Sequence, residues 1–507
     1  MPGWRRLVLV LCMSLSARLA QGVVDVRAVG GNLYVAASPS TVTLGDLLGA
    51  FQRIGVAVEV DPGLLGLPGH VDQRLHGRAA DVLDHLLGDL NYLLTWRQLP
   101  SSAGPLLSLK TIRVYREDDP DAARPLAPRT GPVRLLGPPG RQYVAEDLLL
   151  GLRPGATPEQ LRNLLVDIGG TLVSYDPATG ALLVRLPEGA DAARLLAALR
   201  TNPALAAAGL NWVYHRNRDP VAKVSRLLTS SSSSASAALP PLEHPQAVAV
   251  FDEPLGPDAA ARLGDRLLVN ATTVPAGFPV ATPTAETHGS YMALLASGDA
   301  SVDSPANLGA NLPIVSVGIF DTEGRTTTYA VMQALALAAA NGASVANLSW
   351  GTEVSSDFLD AAFAAATRSG IALVAAAGND GKNLDAYYPA AAPDVFAVGA
   401  MDAAHRRETY SNDGPYVDAT AVGDAVVGHY LVQGTSVSAA LVSQQLADYR
   451  SRHPELSPAE AIRAFSAQLA DSPTSPIRLH PAPAATPAAD ATAPAASAPA
   501  HDPASAN

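Results

Sequence analysis

Between residues 246 and 470 short apolar runs alternate with helical stretches, and this alternation restricts the fold more than any other feature of the chain. Residues 247–251, 314–320, 345–348, 371–375 and 395–398 read as buried strands. Helices are expected over residues 328–340 and 356–368. Strands and helices joined by short links predict an α/β fold: a parallel sheet covered by helices on both faces. In such sheets the active site lies at the carboxyl ends of the strands.

Four polar groups fall at strand ends or helix starts. Asp252 closes its strand. His288-Gly289 opens a helix of small and apolar residues. Asn379 follows Val374-Ala375-Ala376-Ala377-Gly378. Ser436 sits in Gly434-Thr435-Ser436, ahead of a helix over residues 437–449. A serine hydroxyl is a weak nucleophile until a neutral imidazole accepts its proton. The imidazole needs a carboxylate on its far nitrogen to fix the tautomer and stabilise the cation. A side-chain amide and a backbone N–H at a helix N-terminus can stabilise an oxyanion. Asp321 also ends a strand and competes with Asp252 for the orienting role, but it follows the histidine in sequence.

Taken together, this order closely resembles the subtilase family, and the likeness covers about 225 residues. "VAVFDEP" stands at the aspartate strand and "HGSYMALLASG" at the histidine helix. "ASVANLSWGT" resembles the segment that pairs with substrate backbone, "ALVAAAGNDG" the oxyanion asparagine, and "GTSVSAALVS" the serine helix. The resemblance implies a serine endopeptidase with Ser436 as nucleophile, His288 as base, Asp252 as orienting residue and Asn379 as oxyanion donor. It implies substrate contacts at Ser349, Trp350, Gly351, Ala377 and Gly378. It also places Tyr387 at the floor of the main specificity pocket, where a ring favours small residues. Three positions depart from the family pattern. Glu253-Pro254 replaces a small hydroxyl residue and glycine, Tyr291 stands where a second histidine is common, and Ala440 replaces a proline. The altered Asp252-Glu253-Pro254 motivates a second expectation: a subtilase-fold envelope interaction protein with impaired catalysis. No convincing calcium cluster is read, and no metal or cofactor is expected.

The rest of the chain reads as satellites of this unit. Arg5 and Arg6 precede a short apolar run, and Ala20-Gln21-Gly22 offers small residues for cleavage, so residues 1–22 are expected to be a signal peptide. The protein is then exported, to the periplasm or beyond, with no membrane span in the mature chain. Cys12 is the one cysteine and lies inside that segment, so no disulfide is expected. Residues 23–118 combine strands near 24–37, 56–60 and 71–75, helices over 44–54 and 79–90, and a hairpin over 93–99 and 106–115. "TVTLGDLLGAFQRIGVAVEVDPGLLG" and "LHGRAADVLDHLLGDLNYLLTW" resemble the short N-terminal domain of secretins and TonB-dependent receptors, which implies an envelope protein partner. Residues 119–136 read as a linker. Residues 137–217 follow the order β-α-β-β-α-β, a ferredoxin-like split, with a helix cap at Thr157-Pro158-Glu159-Gln160. "LRTNPALAAAGLNWVYH" resembles the end of the subtilase propeptide, which implies an intramolecular chaperone and inhibitor. Residues 218–245 contain a serine run and read as a flexible linker. Residues 471–507 are rich in Ala and Pro and are expected to be disordered. The net charge of −12, from 47 acidic and 35 basic residues, argues against a nucleic-acid partner. A polypeptide substrate is the expected partner.

Overall fold

A computed structural model of the chain describes residues 24–29, 32–37, 43–53, 56–67, 75–99, 106–116, 119, 122–125, 133–216, 242, 245–275, 277–299, 302–304, 307–428, 430–472 and 475–480. The expected signal peptide lies outside the described residues, as do nearly all of the serine-rich linker and the tail beyond residue 480.

The largest sheet has eight strands. Their order is Leu267–Thr272, Ile314–Gly318, Ala247–Asp252, Ala343–Leu348, Ala372–Ala376, Val395–Met401, Ala419–Val422 and Ile477–Leu479. The first seven run parallel and the last is antiparallel. The strand Ala247–Asp252 is buried along its whole length, as a parallel strand covered on both faces must be. It lies between Ile314–Gly318 and Ala343–Leu348, where the chain reverses its direction of travel across the sheet. Such a point opens a crevice at the carboxyl ends.

Two apolar layers cover this sheet. One packs the helices His288–Ser297 and Thr435–Arg452 against Val248, Val250, Val374 and Val398. Ala439 and Ala440 are fully buried, and their small side chains let the long helix lie close to the strands. The other packs the helices Thr328–Ala340 and Asp357–Arg368 against Phe251, Val317 and Leu348.

The second layer does not stop at the domain boundary. It takes in Leu149, Ala181, Leu183 and Tyr214 from the preceding unit. That unit has the expected order. Tyr143–Leu152, Pro158–Ile168, Thr171–Tyr175, Ala181–Arg185, Ala192–Leu199 and Leu205–Arg216 follow one another as strand, helix, strand, strand, helix and strand. Thr157 caps the first helix in a capping box with Gln160. The last strand runs past its own sheet. Val213, Tyr214 and His215 pair with Thr327, Thr326 and Arg325 on one side. His215 and Arg216 pair with Gly351 and Trp350 on the other.

Residues 24–125 have a core of their own around Leu33, Leu47, Phe51, Leu83 and Ile112. Two helices, Leu44–Arg53 and Ala79–Leu87, pack with two small sheets. Several sequence expectations are corrected by the structure. The helix expected to reach residue 90 stops at Leu87, because Gly88 takes a positive φ of 56° and closes it. The strand expected over 71–75 begins at Leu75 and runs to Arg78, with residues 71–74 outside the described part. The linker at 119–136 contains two short strands, Arg124–Pro125 and Leu135–Leu136, which pair with neighbouring units. The edge strand Leu267–Thr272 had not been expected. Its side chains alternate between half-buried and exposed, so it lacks a continuous apolar run. Of the tail expected to be disordered from residue 471, the described part includes the strand Ile477–Leu479 after the helix Pro458–Ala470, and fully buried Ile477 anchors it. Among the described residues, no helix is long and apolar enough to cross a membrane.

Candidate active site

Asp252 is the last residue of its strand, and its side chain is 1% exposed. A carboxylate this deep needs donors in place of water. The Glu253 N–H donates to Oδ1 at 2.8 Å. His288 Nδ1 stands 2.8 Å from Oδ1 and 2.9 Å from Oδ2. A carboxylate at Nδ1 holds the proton there and turns the Nε2 lone pair outward, the state a general base requires.

His288 is the first residue of the helix His288–Ser297. Thr287 caps that helix by accepting the Ser290 N–H at 3.1 Å, and Ser290 Oγ accepts the Thr287 N–H at 3.1 Å. Glu253 adds a further acceptor, with Oε2 taking the His288 backbone N–H at 3.0 Å. Thr287 Oγ1 donates to the Pro254 carbonyl at 2.7 Å. Gly289 is required by the close approach of this turn, since a Cβ there would lie 2.1 Å from the Glu253 carbonyl oxygen. The pair Glu253-Pro254, a departure from the family pattern, therefore ties the histidine helix to the aspartate strand. An inert scaffold calls for Asp252 to turn away from His288, whereas here the carboxylate faces the ring.

Asp321 has a different task. Its Oδ2 accepts from Arg325 Nε at 2.9 Å and Nη2 at 2.7 Å. Its Oδ1 accepts the N–H groups of Glu323 and Arg325. The carboxylate is spent on closing its own turn.

Ser436 is the second residue of the helix Thr435–Arg452, which Gly434 opens with φ 141°. Its Oγ lies 3.5 Å from the Ser349 carbonyl oxygen. Asn379 is oriented by Thr435, whose N–H and Oγ1–H donate to its Oδ1 at 2.9 and 2.8 Å. That turns the amide NH2 away from Thr435. Thr435 Oγ1 in turn accepts the Gly378 N–H at 3.2 Å. Sequence reasoning gave Thr435 no role, and its one signal was the middle place in Gly-Thr-Ser.

The expected substrate contacts divide into two groups. Trp350 and Gly351 pair with Arg216 and His215 of the strand Leu205–Arg216, and Ser349 precedes them in the chain. Trp350 is fully buried and stacks on Tyr214, with ring centroids 5.4 Å apart and planes at 25°. Such a pair contributes about 0.5–1.5 kcal/mol beyond its buried area. Tyr214 also shares a hydrogen bond with Thr328 Oγ1 at 2.9 Å. Ala377 has both backbone groups bonded internally: its N–H to Val398, and its carbonyl to Tyr416 Oη at 2.8 Å and Asn412 Nδ2 at 3.2 Å. Gly378 has φ 103°, and a Cβ there would meet Asn412 at 2.3 Å and the Tyr387 ring at 2.8 Å. The same ring would lie 2.1 Å from a Cβ on Gly351. Tyr387 thus fills the space between these two glycines, and burial raises the pKa of its hydroxyl. Among the described residues, no group of three or more His, Cys, Asp or Glu side chains is placed to hold a metal ion.

Residues 272–485 match the model of the subtilase family, and residues 132–211 match that of the fervidolysin N-terminal prodomain. The first span contains His288, Asn379 and Ser436 but begins after Asp252. The thermophilic serine proteinase of Bacillus sp. (strain AK1) is 35% identical over 141 residues, which is 28% of this chain and 35% of that protein. Subtilisin DY of Bacillus licheniformis is 30% identical over 179 residues, 34% of this chain and 65% of that protein. The chain thus spans less than two thirds of either relative. The crystal structure of fervidolysin from Fervidobacterium pennivorans, described as a keratinolytic enzyme related to subtilisin, superposes with a TM-score of 0.51 at 18% identity. The superposition covers 64% of this chain and 57% of that one. Residues 272–485 are thus similar to the subtilase family and residues 132–211 to a fervidolysin-type prodomain, on a fold shared with a subtilisin-related enzyme.

Proposed function

We propose that this chain is an exported serine endopeptidase that hydrolyses peptide bonds within polypeptides. The observation that carries the reading is the contact of His288 Nδ1 with both oxygens of a buried Asp252, in the same domain as Ser436 at a helix N-terminus. In the reaction, His288 takes the proton of Ser436 Oγ as the oxygen attacks the substrate carbonyl. Asp252 steadies the imidazolium. The oxyanion receives donors from the Asn379 amide and the Ser436 backbone N–H, which the helix N-terminus makes favourable. His288 then protonates the leaving amine, and water releases the acyl group by the reverse steps.

The substrate backbone takes the place along Trp350–Gly351 that residues 215–216 occupy. A strand that fills the groove in the same ladder is a competitor for substrate, so residues 137–217 act as an inhibitor in cis. They also act as a folding template, since their apolar residues complete one core layer of the peptidase. Tyr387 shortens the main pocket and favours small residues there. Residues 23–118 serve as a docking module for an envelope partner, by their likeness to the short N-terminal domain of secretins and TonB-dependent receptors. Residues 1–22 direct export to the periplasm or the medium.

A fluorophosphonate probe tests the catalytic reading. It is expected to label the processed protein at Ser436, with the Ser436→Ala variant unlabelled. Processed, folded protein that takes no label overturns the reading.

A further inference from the structure

Glu253 faces two ways. Its Oε2 accepts the backbone N–H of His288, and its Oε1 lies 3.3 Å from Arg216 Nη1. Arg216 is the last described residue of the prodomain-like strand and stands opposite Trp350 in the ladder. Its guanidinium therefore sits where the side chain of a bound polypeptide passes the catalytic histidine. A cavity of about 350 Å³ opens at this point, lined by Arg216, Glu253, Glu286, Thr287, His288 and Tyr291 among others. Glu286 is the second carboxylate on its wall. Its Oε1 accepts the N–H groups of Asp258 and Ala259 at 3.1 and 3.2 Å. Its Oε2 is buried with no hydrogen-bond partner. A buried acceptor without a donor is costly, and the unspent charge adds to the negative field of the cavity wall.

We infer that Glu253 and Glu286 form an acidic subsite that takes a basic side chain of the substrate, arginine before lysine, at the residue lying beside His288. The inference rests on the endopeptidase reading above and deepens it. Arg216 is the resident occupant, a copy of the preferred substrate residue carried in the chain itself. Arginine suits the site because its planar guanidinium presents five donors and pairs with carboxylates in fixed geometry. Lysine offers a single compact charge. Glu253 is then both a positioning residue, through the His288 N–H, and a specificity residue, through its other oxygen.

The two roles separate in one ratio. Internally quenched peptides that differ only at the residue beside His288, carrying Arg, Lys, Ala or Glu, are given to the processed full-chain protein. The Arg peptide is expected to exceed the Ala peptide in kcat/KM by about 10–100-fold, the effect of a charge-assisted hydrogen bond. Glu253→Gln keeps an oxygen for the His288 N–H but loses the charge, and Glu286→Gln alters the other wall. Each is expected to move the Arg-to-Ala ratio toward one. A general loss of activity or stability cancels in that ratio. A wild-type ratio near one, or a ratio that neither variant changes, overturns the subsite and leaves the endopeptidase reading standing. If no peptide of the series is cut, the endopeptidase reading falls, and the subsite falls with it.

Discussion

Asp252 and Asp321 follow neighbouring parallel strands of the same sheet, and both are almost fully buried. One meets an imidazole and the other a guanidinium. The guanidinium of Arg325 grips Asp321 through two N–H donors, so the Asp321 pair is a fixed brace. It closes the turn before Arg325–Thr327, the short strand against which the prodomain-like strand runs. An imidazole gains and loses its proton near neutral pH, so the Asp252 pair can take part in proton transfer. The same placement at the end of a strand therefore yields a brace in one place and, in the proposed mechanism, the support of a general base in the other, and the partner decides which.

Substitution at the two sites sharpens this contrast. Asp252→Asn presents the wrong hydrogen-bonding pattern to Nδ1 and is expected to lower peptide turnover by about 10⁴-fold. Asp321→Asn is expected to leave turnover close to wild type and to lower folding stability by about 1–3 kcal/mol, read by thermal or denaturant unfolding. Equal losses of turnover in the two variants would erase the distinction. Next in size is Asn379→Ala, which removes a donor without touching either carboxylate. Its expected cost is about 10²–10³ in kcat with KM little changed. An unchanged kcat would take the oxyanion role away from that amide.

The smallest expected effect concerns His215, on the docked strand. Burial, and then the charge of Arg325, hold its pKa below the ordinary 6.5, against an upward pull from Asp321. The docked state thus favours the neutral ring, while the released strand titrates at its ordinary value. Docking is fully stabilised above 6.5 and weakens as the pH falls from there toward the lower docked value. Protection of residues 205–216 from added protease should fall on mild acidification, and His215→Gln should flatten that dependence. A wild-type profile that is already flat would remove His215 from the account.

The four candidate groups stood out in the sequence because each belongs to a local pattern of strand end, helix start or glycine turn. The parallel sheet was legible for the same reason, since its central strands are continuous apolar runs. What escaped depends on distant partners. Glu253 looked like a defect beside Asp252, because its acceptor role exists only once His288 is brought up on the helix His288–Ser297. The path of residues 213–216 between Arg325–Thr327 and Trp350–Gly351 rests on backbone pairing, which side-chain pattern does not report. Ile477–Leu479 was hidden in a proline- and serine-rich stretch, where one buried isoleucine is too little signal. The Asp321 brace is the local exception: Arg325, four residues on, folds back over it, a fold-back that no periodic pattern marks.

The pairing of the strand Leu205–Arg216 with Trp350–Gly351 sets a concentration scale for the proposed peptidase. Arg216 and Ala247 are joined by one covalent chain, so the groove meets its occupant at an effective concentration on the order of millimolar. An outside polypeptide at micromolar level starts about a thousandfold behind. Scission anywhere between residues 217 and 245 turns this intramolecular contest into an intermolecular one, which dilution then decides. On the proposed reading, inhibition is governed by one peptide bond and the surrounding volume, with no rearrangement of Asp252, His288 or Ser436 required.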